Sequence, residues 1–208
     1  MEIYKQKITD LRQGVKNPNR VNVFVDSKFA FSLDISQVVD FKLKVGKLIT
    51  PEELEEYKKA SEFGKLYQRA LEWALLRPRS EKEINDYLYK KIFEKKLEKN
   101  YINIVIEKLK SKKYVDDYKF AEWYVENRFV KKGISKRRLE MELMKKGISR
   151  DIIEEVLKES DRNDEEEILK IIAKKWGKYD EEKLISYLCR QGFLYELASR
   201  LVRSYEKD

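Results

Sequence analysis

Histidine is absent from this 208-residue chain, and cysteine occurs once, at Cys189. A zinc site built from Cys and His is therefore excluded. So is a disulfide within one chain. The side chain that most often serves as general base is missing too. Cys189 reads as a small buried apolar residue. No apolar run approaches the roughly 18 residues of a membrane-spanning helix. Met1–Gln13 contains no apolar signal core. A cytoplasmic protein without a membrane segment is expected. Neither a GxxxxGK[ST] loop nor a GxGxxG turn is present, so nucleotide binding has no support in the sequence. No cofactor and no metal are expected. Proline (3) and glycine (7) are scarce. That suits long helices better than a loop-rich enzyme.

Charge is abundant. Charged residues make up 40% of the chain and hydrophobic residues 42%. This is enough for a core with heavily solvated outer faces. The net charge is +8 and the pI about 9.2. Such a balance favours a polyanionic partner.

Hydrophobic periodicity divides the chain. Val21, Val23 and Val25 alternate with Asn22 and Phe24. Phe29, Phe31 and Leu33 alternate with Ala30 and Ser32. Period two with β-branched and aromatic residues predicts strands, joined by a turn at Asp26-Ser27-Lys28. A third strand is expected within Ile3–Leu11, connected through Asn17-Pro18-Asn19. The resulting antiparallel sheet over about residues 2–33 is too small to stand alone and should pack on a helix. Beyond Leu33 the period becomes helical. Thr50-Pro51-Glu52-Glu53 is a helix start with a capping box and no strong stop signal after it.

From about Phe63 the chain reads as a degenerate repeat. Ser80, Ser135 and Asp180 each cap a helix. Ile84 and Leu88, Leu139 and Leu143, and Leu184 and Leu188 follow them at matching offsets. Gly147 and Gly192 take equivalent C-terminal cap positions. The first unit lacks that glycine. The expected fold is mainly α: tandem three-helix repeats in an elongated array behind a small N-terminal antiparallel β segment. The boundaries are 1–49 for the β segment with a short helix, 50–62 for a connecting helix, and 63–115, 116–161 and 162–208 for the repeats. A stacked array presents long surfaces rather than one deep pocket, which favours binding over catalysis.

The charge is clustered. Between Arg128 and Arg150 nine Lys or Arg face two acids, a local net of +7. Arg128, Lys131, Lys132, Lys136, Arg137, Arg138, Lys145 and Lys146 are candidate contacts for a phosphate-bearing or acidic partner. Arg77 and Arg79 flank Pro78 and either brace a corner or reach a partner. Tyr114, Tyr118, Trp123 and Tyr124 could stack on bases. But Phe120, Trp123, Tyr124 and Phe129 recur at helical spacing, which predicts core packing. Asp116-Asp117 could hold Mg²⁺; their place before an apolar helix predicts capping instead.

Four motifs in series resemble the RecX family. Arg77-Pro78-Arg79-Ser80, with Glu83-Ile84, resembles its Arg-x-Arg-Ser-x-x-Glu-Leu signature. Tyr114-Val115-Asp116-Asp117, with Phe120-Ala121, resembles Tyr-Leu-Asp-Asp-x-x-Phe-Ala. Gly133 to Leu139, then Glu142-Leu143 and Lys146-Gly147-Ile148, resembles Gly-x-x-x-Ile-x-x-Glu-Leu-x-x-Lys-Gly-Ile. Arg190-Gln191-Gly192-Phe193 resembles the Arg-x-Gly-Phe of the last repeat and adds Arg190 to the candidates. The missing glycine after Tyr89 and the lysine-rich Lys90–Lys99 segment depart from the pattern. The resemblance implies tandem three-helix repeats and a non-enzymatic regulator. Such a regulator binds RecA filaments on single-stranded DNA and restrains their recombinase and ATPase activity. Single-stranded DNA is then a partner directly or through RecA, and a monomer is expected. A standalone basic DNA-binding protein is the alternative.

Overall fold

A computed structural model describes residues 5–15 and 17–205. The chain forms two compact units. One comprises residues up to Trp73 with Tyr87–Glu107; the other comprises Ala74–Asp86 with the chain from Lys108 onward.

The first unit holds the sheet. Strands β1 (Gln6–Gln13), β2 (Arg20–Val25), β3 (Lys28–Asp34) and β4 (Leu48–Ile49) lie in the order β3-β2-β1-β4, with every pairing antiparallel. The β2–β3 turn is tighter than the sequence suggests: Val25 already pairs with Lys28. Asp26 and Ser27 alone span it, at φ 48° and 66°. Two successive positive φ angles match the right-handed twist of the flanking strands. Strand β4 has no signal in the sequence, because two residues carry no periodicity. Ile3, part of the expected first strand, lies outside the described residues.

Phe31 and Leu33 face the core as expected, but Phe29 does not. A bulge between Val23 and Phe24 shifts the register, so that Phe24 opposes Phe29. One extra residue flips the side chains beyond it to the other face. Phe29 is therefore 56% exposed and meets Phe24 edge-on at 6.0 Å. The sheet closes over Ile8, Val23, Phe31, Leu33 and Ile49, against Tyr57 and Leu54 of helix α2 (Pro51–Leu75). The short helix α1 (Ile35–Asp40) follows β3. The Thr50 capping box forms in both directions, with Glu53 N donating to Thr50 Oγ1 at 3.3 Å and Thr50 N to Glu53 Oε2 at 2.8 Å.

Next come α3 (Glu81–Lys95), α4 (Tyr101–Ser111), α5 (Asp117–Asn127), α6 (Lys136–Lys145), α7 (Arg150–Glu159), α8 (Asp164–Lys175), α9 (Glu181–Arg190) and α10 (Tyr195–Arg203). Helices α5–α7 enclose one core, around Phe120, Val125, Leu139, Leu143 and Ile153. Helices α8–α10 enclose another, around Ile168, Ile172, Leu184, Leu188 and Val202, with half-buried Cys189 packed against it. Helices α6 and α9 end alike. Gly147 (φ 84°) donates to Met144 O and Ile148 to Leu143 O; Gly192 (φ 96°) donates to Cys189 O and Phe193 to Leu188 O. This pair of bonds satisfies two orphan carbonyls and needs a left-handed residue at the turn. Helix α3, which lacks the glycine, extends further and makes the same closure with Lys96 at φ 54°.

Candidate protein and nucleic-acid interface

Two junctions inside the second unit use one chemical device. At the first, Ser80 Oγ accepts from Glu83 N at 3.1 Å and donates to Lys146 O, the C-cap carbonyl of α6, at 2.8 Å. Asp117, the first residue of α5, accepts from Glu81 N at 2.7 Å. At the second, Ser135 Oγ accepts from Arg138 N at 3.1 Å and donates to Gln191 O, the C-cap carbonyl of α9, at 2.8 Å. Asp164, the first residue of α8, accepts from Lys136 N at 2.9 Å. Both serines are fully buried. A hydroxyl suits the place because it accepts and donates at once. Burial pushes the Asp117 and Asp164 carboxyls above their ordinary pKa, although the backbone amides pull the other way. Asp116 caps its own helix through Lys119 N, so the Asp116-Asp117 pair is absorbed by capping. No group of three acids, Cys or His suited to a metal exists among the described residues.

Ser135→Ala removes a cap and strands the half-buried Gln191 carbonyl, for an expected loss of about 2 kcal/mol. Ser135→Asp, which copies the exposed Asp180 cap of α9, should not rescue it. A carboxylate can accept from Arg138 N but would face the Gln191 carbonyl without a proton to donate. Urea unfolding followed by circular dichroism measures both. Full recovery in the aspartate variant would refute the donating role.

Beside the first junction lies a cleft lined by Arg77, Glu83, Trp123, Tyr124, Arg128 and Lys146. Its charges are internally matched. Glu83 receives Arg77 Nη1 at 3.0 Å and Lys146 Nζ at 2.7 Å, with Arg79 Nη1 at 3.8 Å. Glu142 receives Arg128 Nε at 2.7 Å, the Tyr124 hydroxyl at 2.7 Å and Arg138 Nε at 3.3 Å. Burial alone would raise both carboxyls. The hydrogen bonds from Arg77 and Lys146, and from Arg128 and Tyr124, hold them below the ordinary range. Burial, then the hydrogen bond to Glu142, pushes the Tyr124 hydroxyl up to about 12. The guanidiniums also stack on rings. Arg77 lies 5.0 Å from the Trp123 centroid, and Arg128 lies 3.8 Å from that of Phe129.

The eleven candidate cations therefore separate into two sets. Arg77, Arg79, Arg128, Arg138 and Lys146 are engaged by Glu83 or Glu142. Lys136 reaches back to Leu157 O at 3.2 Å. Lys131, Lys132, Arg137, Lys145 and Arg190 are exposed and form no ion pair among the described residues. The aromatic cluster packs as its spacing predicts: Phe120 is fully buried, with Trp123, Tyr124 and Phe129 against the same core. Sequence reasoning missed Lys174, Lys175 and Lys178, which line a second cleft together with Lys132 and Arg138. The run Lys174-Lys175 followed by Lys178-Tyr179 is the available signal.

The architecture defines the class: a helical-repeat protein with a small antiparallel sheet, its later repeats locked by shared serine caps. The chain belongs to the RecX family of regulatory proteins. Residues 6–50 match the family described as "Regulatory protein RecX N-terminal domain" and residues 116–157 match "RecX, second three-helix domain". It is 35% identical over 200 residues to the regulatory protein RecX of Listeria monocytogenes, covering 92% of this chain and 73% of that one. Against the protein of the same name from Clostridium perfringens identity is 33% over 207 residues, with 95% of each chain covered. A crystal structure of a regulatory protein RecX superposes with a TM-score of 0.71 at 22% identity, over 96% of this chain and all of that one. The crystal structure of RecX from Lactobacillus salivarius gives 0.55 at 25% identity, over 69% of this chain and 96% of that one. No helix among the described residues is long and apolar enough to cross a membrane.

Proposed function

We propose that this protein is a monomeric, non-enzymatic, cytoplasmic regulator that binds RecA filaments on single-stranded DNA and lowers their recombinase and ATPase activity. The observation that carries the reading is the set of exposed cations without an ion pair among the described residues, on a chain of this family: Lys131, Lys132, Arg137, Lys145 and Arg190. Cations already matched by Glu83 and Glu142 hold the repeats in place, and these five are left for a partner. Contacts spread over successive repeats add by avidity, and phosphate-directed contacts weaken with salt.

The test is RecA ATPase on single-stranded DNA during titration with this protein at two salt concentrations. A dose-dependent fall, weaker at high salt, is expected. A flat curve at molar excess and low salt would overturn the proposal.

A standalone DNA-binding function is the second reading, favoured by the cationic cleft beside α8. It requires binding to DNA without RecA near physiological salt.

A further inference from the structure

The two clefts occupy equivalent places at the two junctions, yet their chemistry is opposite. The third residue after the cap serine is Glu83 at the first and Arg138 at the second. The fourth residue before the C-cap is Glu142 at the first and Tyr187 at the second. The eleventh residue after the junction aspartate, Asp117 at the first and Asp164 at the second, is Arg128 and Lys175 respectively. Both acids that neutralise the first cleft are thus replaced at the second, one by a cation and one by an aromatic ring. Arg128 pairs with a carboxylate; its counterpart Lys175 instead sits 4.3 Å from the Tyr187 centroid and 4.8 Å from that of Tyr179.

The second cleft therefore carries lysines that no acid neutralises. No acid lines it. Lys132, Lys174, Lys175 and Lys178 form no ion pair among the described residues, whereas Arg138 is held by Glu142 through Nε and by Gln191 through Nη1. The cavity measures about 470 Å³. That is within the range that holds a small organic ligand. Phe129 and Tyr187 line it, and Tyr187 lies nearly parallel at 6.2 Å to Tyr179, which is 41% exposed beside the cleft. A polyanion alone would need only the lysines. Cations around an aromatic pair, Tyr179 exposed and Tyr187 half-buried, suit a chain that alternates phosphates with flat rings.

We infer that this cleft is a single-stranded nucleic-acid subsite, with Lys132, Lys174, Lys175 and Lys178 on phosphates and the Tyr179–Tyr187 pair against a base. It rests on the reading that this protein works on single-stranded DNA, and it adds where the strand lies. The first cleft, filled by its own acids, is closed to that ligand.

The probe is a fluorescent oligothymidylate of about 20 nucleotides, bound to the full chain without RecA. Three variants are compared with the parent. Lys174→Glu/Lys175→Glu/Lys178→Glu should weaken binding at least tenfold. It should also flatten the slope of log affinity against log salt by about 2, three phosphate contacts at ~0.7 each. A control with the same charge change, Lys90→Glu/Lys99→Glu/Lys112→Glu, should weaken binding less than threefold. Tyr187→Glu restores the acid that the first cleft has at this place, and should weaken binding about tenfold by pairing with Lys175. Equal losses in both triple variants, no loss in the first, or no binding by the parent would overturn the proposal. So would preferential binding of an acidic peptide such as polyglutamate. RecA ATPase is measured on the same proteins. Oligonucleotide binding that maps to the cleft while ATPase stays flat would keep the subsite and remove RecA regulation. Undiminished ATPase regulation by a parent that does not bind the oligonucleotide would do the reverse.

Discussion

Glu167→Ala is expected to destabilise the second unit by about 3–5 kcal/mol, the usual cost of leaving one member of a buried ion pair alone. Glu167 is 2% exposed. Its carboxylate receives Ile134 N at 2.9 Å, Arg162 Nη1 at 3.1 Å and Lys170 Nζ at 2.8 Å. Arg162 is nearly as enclosed, its side chain 10% exposed. Its guanidinium also donates to Val125 O at 3.0 Å and Arg128 O at 2.7 Å, at the end of α5. Carbonyls at a helix end have no partner inside the helix and need an outside donor. Glu167 thus holds the cation that closes α5 while fixing the turn into α6 through Ile134. Glu167→Gln keeps one acceptor and loses the charge, so an intermediate loss of about 1–3 kcal/mol is expected. The double variant Glu167→Ala/Arg162→Ala should cost less than the sum of its parts, because the two groups share one network. Urea unfolding of the parent, Glu167→Ala, Glu167→Gln, Arg162→Ala and the double variant decides. A near-zero effect of Glu167→Ala, or strict additivity, would refute the network.

The second large effect concerns space rather than charge. Gly133→Ala is expected to cost about 3 kcal/mol, and Gly177→Ala about 1 kcal/mol. Both glycines are left-handed, at φ 81° and 74°. A side chain at either position therefore pays the same conformational penalty. A Cβ at Gly133 would also lie 2.5 Å from Glu167 O and 2.7 Å from Ile171 Cγ1, whereas at Gly177 it meets nothing within 4 Å. The Glu167 oxygen is backbone in a helix and cannot swing aside. Thermal unfolding of the two variants separates the contributions. Equal shifts would mean that strain alone matters and that α8 yields to the extra methyl.

What can be read from the chain depends on the range of the interaction involved. The β2–β3 hairpin, the Thr50 capping box, the helix starts at Ser80, Ser135 and Asp180 and the glycine stops at Gly147 and Gly192 are all local. Each is decided by hydrogen bonds between residues a few positions apart, so residue type and spacing suffice. The same holds for the repeat pattern and for the family, which rest on those spacings.

The charge state of the surface is not legible in this way. The cluster from Arg128 to Arg150 reads as one basic face, yet Glu83 takes Lys146 across 63 positions and Glu142 takes Arg128 across 14. The second role of Ser135, its bond to Gln191, spans 56 positions. Phe29 changes face through a single bulge, and β4 forms because β1 offers it an edge. The sequence alone determined the β2–β3 hairpin and the capped starts and glycine stops of the repeat helices, because those choices are settled within a turn or a strand pair. Only the tertiary structure decided which cations are spent on the fold and which remain for a partner. An ion pair is chosen by distance in space, and Lys146 finds its acid, Glu83, on the neighbouring repeat.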